Sequence, residues 1–318
     1  MGKIYFGDNY ITKIMYSGFT IDKVYACSGQ TVWDKSQLGV KLWMRLQNYP
    51  DEIRVYADGG WINASVIADE GSIPCDEYPE IISEADLWAF DNIFLGVTVY
   101  GNHNWTPYVT DVVIGNCVTS IGSSQYIGAF TEWTSLSSVT IPNSVTNIGN
   151  YAFQVCSALT SVHIPTSVTN IGESAFAGCY SLTSINISDN VTTLGRGAFT
   201  SCISLSSATI GEGVTVLDYT FVNTPMLETC VIGSNVNELK NEVFSGKWGS
   251  PTAENSLRYI VLKSPRPPKA LDKDAFPSYG NYVIYVPAES VEAYKTSNYD
   301  GWYYVRNRIE AIPENLNV

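Results

Sequence analysis

Broken every 23 residues at Leu136, Leu159 and Leu182, the segment 136–202 reads LSSVTIPNSVTNIGNYAFQVCSA, LTSVHIPTSVTNIGESAFAGCYS and LTSINISDNVTTLGRGAFTSC. A fourth copy, LSSATIGEGVTVLDYTF from Leu205, keeps the register and then loses one residue. Looser copies start at Leu227 and, after an insertion near Lys247 to Asn255, at Leu257; a worn one runs from Val109 to Gly122 and reaches Ala129-Phe130. Seven copies between Val109 and Phe276 make self-similarity the dominant signal, and a fixed period of this length marks a stacked-repeat architecture.

Each position of the repeat has one physical task. In Ser138-Val139-Thr140-Ile141 apolar and small polar residues alternate, the period-2 mark of a half-buried strand. Val139/Ile141, Val162/Ile164, Ile185/Ile187 and Ala208/Ile210 are the inward pairs. Pro142, Pro165, Gly211 and Gly233 then turn the chain. Val145, Val168, Val191 and Val214 open the next side, and Ile148, Ile171, Leu194 and Leu217 supply its second inward residue. Ala152-Phe153, Ala175-Phe176 and Ala198-Phe199 close the coil, the Ala permitting close approach and the Phe filling the interior. One such coil cannot bury its own apolar face; stacking coils at about 4.8 Å buries a continuous core.

The pattern L-x-S-[VI]-x-I-P-x-S-V-T-x-I-G-x-x-A-F-x-x-C resembles the BspA-like, Treponema pallidum-type, bacterial leucine-rich repeats over roughly half of the chain. The resemblance implies a right-handed leucine-rich repeat solenoid with one strand per coil, a place at the cell surface or outside the cell, and a part in attachment to host or matrix proteins or glycans. The domain organisation expected is a short-strand β module over 1–37, an acidic linker domain over 38–98, the solenoid over 99–277 and a C-terminal cap over 278–318. In the cap, YVIYV (282–286) reads as a last strand and Val291 to Lys295 as a short helix, followed by Trp302, Tyr303-Tyr304-Val305 and Ile309 to Ile312.

Composition narrows the function classes. The chain has 318 residues, 45% hydrophobic and 15% charged, so it has ample material for a core. Eighteen Lys and Arg stand against 31 Asp and Glu, a net charge of −13. With no basic cluster to replace phosphate counterions, nucleic acid is not an expected partner. No run approaches about 18 apolar residues, so membrane insertion is not expected, and Met1 to Phe6 leads into no signal-peptide apolar stretch. The acidity is local: residues 51–91 hold eleven acids and one base, Arg54, whereas the rest of the chain holds twenty acids and seventeen bases. A calcium site there is conceivable, but the spacing fits neither an EF-hand nor the nonapeptide calcium repeat; a solvated acidic face is the simpler reading.

Residues 3–33 hold a second, ten-residue repeat, with Lys3, Lys13 and Lys23 in step, that reads as a meander of short strands. It is similar to short modules of phage tail and other gut-bacterial structural proteins. That similarity implies an alternative role, a structural accessory part of a phage or prophage tail-like assembly docked through residues 1–37.

Catalytic chemistry is not legible. Only His103 and His163 are present beside 8 Trp, 21 Tyr and 11 Phe, and neither G-x-S-x-G nor a phosphate-cradling Gly-rich loop occurs. Paired carboxylates in the acidic segment leave a glycan-active enzyme as the third and weakest reading. Seven Cys are present, of which Cys156, Cys179 and Cys202 share one repeat position; their side chains run parallel on stacked coils, so buried thiols are expected rather than disulfides or a metal site. No cofactor is expected. The leading function is therefore non-catalytic binding of a protein or glycan partner. The candidate contact row is the outward set Ser138/Thr140, Ser161/His163, Ser184/Asn186 and Ser207/Thr209, small and uncharged, whose alternative is an ordinary solvated strand face.

Overall fold

The computed structural model describes residues 118–122, 128–244, 256–270, 272–277 and 280–316, together with the strands that lie between 4 and 82 and over 109–114. It is a leucine-rich repeat β-solenoid of about eight turns at a spacing of about 23 residues.

The first side of the coil forms a parallel sheet. Ser184–Ile187, Ser207–Ile210, Thr229–Ile232, Tyr259–Leu262, Val283–Val286 and Ile309–Ala311 are neighbours in that order. Inward residues align as Ile185, Ala208, Cys230, Ile260, Ile284 and Ile309. Ser138–Thr140 pairs in the same sense with Val109–Ile114, Val139 opposite Val112. Between these two sheets, residues 161–164 form no strand. Ile164 is still buried there, and Thr183 N–H still donates to Thr160 O at 3.1 Å.

A second row of short parallel strands corrects the expectation of one strand per coil. Val118–Ile121, Asn147–Ile148, Asn170–Ile171 and Thr193–Leu194 pair in sequence, as do Val216–Asp218, Glu238–Lys240 and Lys269–Ala270. The third side has no strands, yet Phe130, Phe153 and Phe176 N–H groups donate to Ala152, Ala175 and Ala198 carbonyls of the next coil at 2.7–2.9 Å. All three sides are thus bonded coil to coil.

The interior is a column of aromatic rings. Phe130, Phe153, Phe176, Phe199, Phe221, Phe244 and Phe276 stack with centroids 5.0–6.0 Å apart and ring planes within 16°. Trp133 meets Phe130 edge-on at 4.9 Å, and Trp302 closes the far end 4.8 Å from Phe276. Trp302 belongs to a helix, Asp300–Val305, too short for its residues to show a helical period; the shorter helix Val291–Lys295 is at the expected place. Trp302 Nε1 donates to Pro268 O at 2.7 Å and Tyr294 Oη to Ser264 O at 2.9 Å. These bonds satisfy the polar ends of two fully buried aromatics.

Tightening the third side puts two residues per coil at positive φ. One set is Tyr151, Ser174, Gly197, Tyr219 and Asn241; the other is Glu132, Val155, Gly178, Ser201 and Asn223. Val155, at φ 59, is the costly member, because a β-branched side chain disfavours the left-handed region that Gly178 adopts freely one coil later.

Ahead of the array, strands of residues 4–64 form an antiparallel run whose Val40–Leu46 member pairs with Val109–Ile114. Glu80–Ile82 lies parallel to Val118–Ile121 on the second side.

Two stability outcomes follow from this packing. Phe176→Ala removes the middle of the ring column and should cost about 3–5 kcal/mol in urea unfolding. Val155→Asn replaces a strained residue by one that tolerates positive φ, and should raise stability by about 1 kcal/mol in the same experiment; a loss there would show that φ strain is not expressed at this corner.

Candidate binding face of the array

The strand side places all eight residues of the contact row outward. Ser138, Thr140, Ser161, His163, Ser184, Asn186 and Thr209 are exposed and Ser207 is half-buried. Alternation does this directly: the inward neighbours Val139, Ile185 and Ala208 are at most 7% exposed. Ser184 and Ser207 are register partners, as are Asn186 and Thr209. Thr140 ends its strand, and Ser161 and His163 sit on the coil where the strand is interrupted.

What separates this row from other polar rows is where its hydrogen bonds go. At the preceding corner, Ser137 Oγ donates to Thr110 O, Thr183 Oγ1 to Thr160 O and Ser206 Oγ to Thr183 O, at 3.0–3.2 Å. On the second side Thr146, Thr169 and Thr192 donate to the carbonyls of Thr119, Thr146 and Thr169 one coil earlier, at 3.2–3.3 Å. Asn147 and Asn170 link through their amides, Asn170 Nδ2 to Asn147 Oδ1 and Asn147 Nδ2 to Ser120 Oγ. Those side chains hold the stack together. The side chains of the eight row residues, by contrast, make no hydrogen bond among the described residues, so their donors and acceptors remain for solvent or a partner.

The cysteines lie on a different face. Cys156, Cys179 and Cys202 are free and buried, and each Sγ–H donates to a backbone carbonyl, of Phe130, Phe153 and Phe176, at 3.1–3.3 Å. Cys230 is an inward rung between Ala208 and Ile260, a place that the alignment of the copy at Leu227 with its neighbours marks. Burial pushes the Cys202 thiol up to about 12, and raises Cys156, Cys179 and Cys230 for the same reason. Cys27, Cys75 and Cys117, His103 and most of the acidic segment 51–91 with its possible calcium site lie outside the described residues. Among the described residues no group of three or more His, Cys, Asp or Glu is placed to hold a metal ion, and no helix is long and apolar enough to cross a membrane.

Two surface features went unread in the sequence. A groove of about 630 Å³ opens on the third side where Ser174 and Gly197 are small, with Arg196 4.2 Å above the Tyr219 ring and Glu173 and Glu242 on its rim. Beside the strand face, Tyr180, Ile203 and Met226 stand exposed; Tyr180 and Ile203 share a repeat position but differ in chemical type, and Met226 is one residue out of step because the coil before it has 22 residues.

Fold and repeat chemistry together define a leucine-rich repeat solenoid. Residues 119–248 match the BspA type leucine rich repeat region in six copies. The chain is similar to the T. pallidum leucine rich repeat protein TpLRR, at 27% identity over 39% of this chain and 59% of that one, with a TM-score of 0.33. It is also similar to a leucine rich cell surface protein from Faecalibacterium prausnitzii, at 26% identity over 65% and 60% of the two chains and a TM-score of 0.34. The third comparison is the pneumococcal vaccine antigen PcpA, at 21% identity over 54% and 38% and a TM-score of 0.41. The chain therefore spans three-fifths or less of the length of these three structures. No curated protein matches it.

The thiols give a signed pH dependence. An unfolded thiol ionises near pH 8.5, whereas the folded ladder holds its protons to about 12 at Cys202. This contribution is complete below about pH 8.5 and is lost as pH rises toward 12. The unfolding midpoint should accordingly fall between about pH 9 and 12, and Cys202→Ala should flatten part of that fall. Native alkylation followed by peptide mapping should leave Cys156, Cys179, Cys202 and Cys230 unmodified.

Proposed function

We propose that the protein is a non-catalytic binding or adhesion protein of the extracellular or cell-surface space, which presents the outward row of its repeats to a protein or glycan partner. The observation that carries this reading is the contrast in hydrogen bonding. Ser137, Thr183 and Ser206 at the corner and Thr146, Thr169 and Thr192 on the second side are spent on holding coils together, while the side chains of Ser138, Thr140, Ser161, His163, Ser184, Asn186, Ser207 and Thr209 make no hydrogen bond among the described residues. A solenoid side of this kind offers repeated, evenly spaced contacts to an extended partner. The BspA-type repeats support the surface role, and the comparisons do not favour the tail-assembly alternative.

The test is capture of the full chain by immobilised matrix proteins and glycans. A triple variant, Thr140→Arg, Asn186→Arg and Thr209→Arg, places charge on three rungs without touching the core. It should lose capture by at least about tenfold, a change of about 1.4 kcal/mol, with an unchanged thermal midpoint. A control pair on the third side, Gln154→Arg and Thr200→Arg, should leave capture intact. Loss in the control and not in the triple variant would place the partner elsewhere.

A further inference from the structure

We infer that the strand face takes a linear, uncharged glycan laid along the axis of the solenoid and seated against the ridge formed by Tyr180, Ile203 and Met226. The inference rests on the strand-face reading above and names the partner class of that face.

The ridge is the first observation. Tyr180, Ile203 and Met226 are 43%, 41% and 52% exposed, three of the five large apolar side chains so exposed among the described residues. Tyr180 and Ile203 hold equivalent places on consecutive coils, one 23-residue step apart; the next coil has 22 residues, so Met226 stands one position past the equivalent place, which Pro225 occupies. Each stands just before the buried Leu182, Leu205 or Leu227 that leads into a first-side strand. The ridge therefore borders the rungs Ser184/Asn186 and Ser207/Thr209 along their entry edge. Single exposed apolar residues need no explanation, but one on each of three consecutive coils, all beside unused polar groups, marks an interaction surface.

The far end of the same row turns aromatic. In register, Ser184 is followed by Ser207, Thr229 and Tyr259, and Thr209 by Val231, Val261 and Tyr285. The Tyr259 and Tyr285 rings lie 5.8 Å apart, and Val261 on the same side of the sheet is fully buried. Neither phenol oxygen is hydrogen-bonded among the described residues. From Ser138 to Tyr285 the outward positions carry no Asp, Glu, Lys or Arg, although the chain has a net charge of −13.

These features select among partners. An uncharged face gives no ionic hold on nucleic acid or an acidic polymer. A peptide adding as a strand needs free main-chain donors and acceptors, but those of Ser207–Ile210, Thr229–Ile232 and Tyr259–Leu262 have ladder partners on both sides. A peptide lying across the rungs presents same-face side chains about every 6.6–6.8 Å, out of step with coils about 4.8 Å apart. A pyranose chain has an apolar face and a rim of hydroxyls on every unit, and its units recur at nearly the coil spacing. The coils of Tyr180 and Ile203 then each offer one apolar contact from the ridge and one pair of hydrogen-bonding groups from the row, and the coil of Met226 offers an apolar contact and Thr229.

Isothermal titration of the full chain with neutral, linear gluco-, xylo- and manno-oligosaccharides of three and six units tests this. At least one hexasaccharide should bind, more tightly than its trisaccharide, with affinity unchanged between about 0.05 and 0.5 M salt. Tyr180→Ala with Ile203→Ala should weaken binding by at least tenfold, and Tyr180→Trp should preserve it; both sets are exposed, so the thermal midpoint should hold. Binding of charged glycans alone, lost at high salt, overturns the inference, as does unchanged affinity in the double alanine variant. If no glycan binds while the Thr140/Asn186/Thr209 arginine variant still abolishes capture by a protein, the glycan assignment fails and the face assignment stands. If that variant changes nothing, both fail.

Discussion

Each coil of this protein is completed by its neighbour, and that dependence governs the rest of the structure. A coil has no interior of its own: the Phe176 ring packs between Phe153 on one side and Phe199 on the other. The backbone N–H of Phe176 is satisfied by Ala198 O, and the Cys179 thiol by Phe153 O. Nearest-neighbour coupling of this sort makes stability a sum over adjacent pairs, and it requires special ends. The ends are supplied by large aromatics with polar handles. Trp302 and Tyr294 cover the last ring and bond to backbone carbonyls, while Trp133 packs edge-on against the first ring of the column.

Register is what turns a repeated sequence into a functional surface. Because 23 residues return the chain to the same place, one substitution pattern becomes a row: hydroxyls on the strand side, threonines on the second side, thiols and phenylalanines within. The rows have different tasks. The Thr146, Thr169 and Thr192 row is bonded to the previous coil, while the Ser184/Asn186 row is left open. The neutral chemistry of the open row contrasts with the acidity of residues 51–91, so an ionic partner and a partner of the repeats would meet different parts of the chain.

Much of this was legible in the residues themselves. The alternation Val139/Ile141 and Ile185/Ile187 identifies the inward pairs because period 2 has one structural meaning, and the Ala-Phe spacing locates the ring column. Other features escaped for identifiable reasons. Pairing on the second side depends on backbone approach between coils, which two residues such as Asn147–Ile148 do not announce. Positive φ at Val155 and Tyr151 runs against residue preference and is imposed by the corner. The helix Asp300–Val305 is too short to show a period. For the binding face, exposure could be read from alternation alone, but the absence of internal hydrogen bonds could not, since Ser137 and Ser138 look alike in sequence and, among the described residues, only the first is bonded.

The division of labour between rows is most directly tested by urea unfolding of matched single substitutions. Thr146→Ala, Thr169→Ala and Thr192→Ala each remove a coil-to-coil bond and should cost about 1 kcal/mol. Ser138→Ala, Ser184→Ala and Thr209→Ala remove hydroxyls that bond nothing internal, and should stay within about 0.5 kcal/mol of the parent. Equal costs in the two sets would mean that the strand face is part of the scaffold and not a surface left free for a partner.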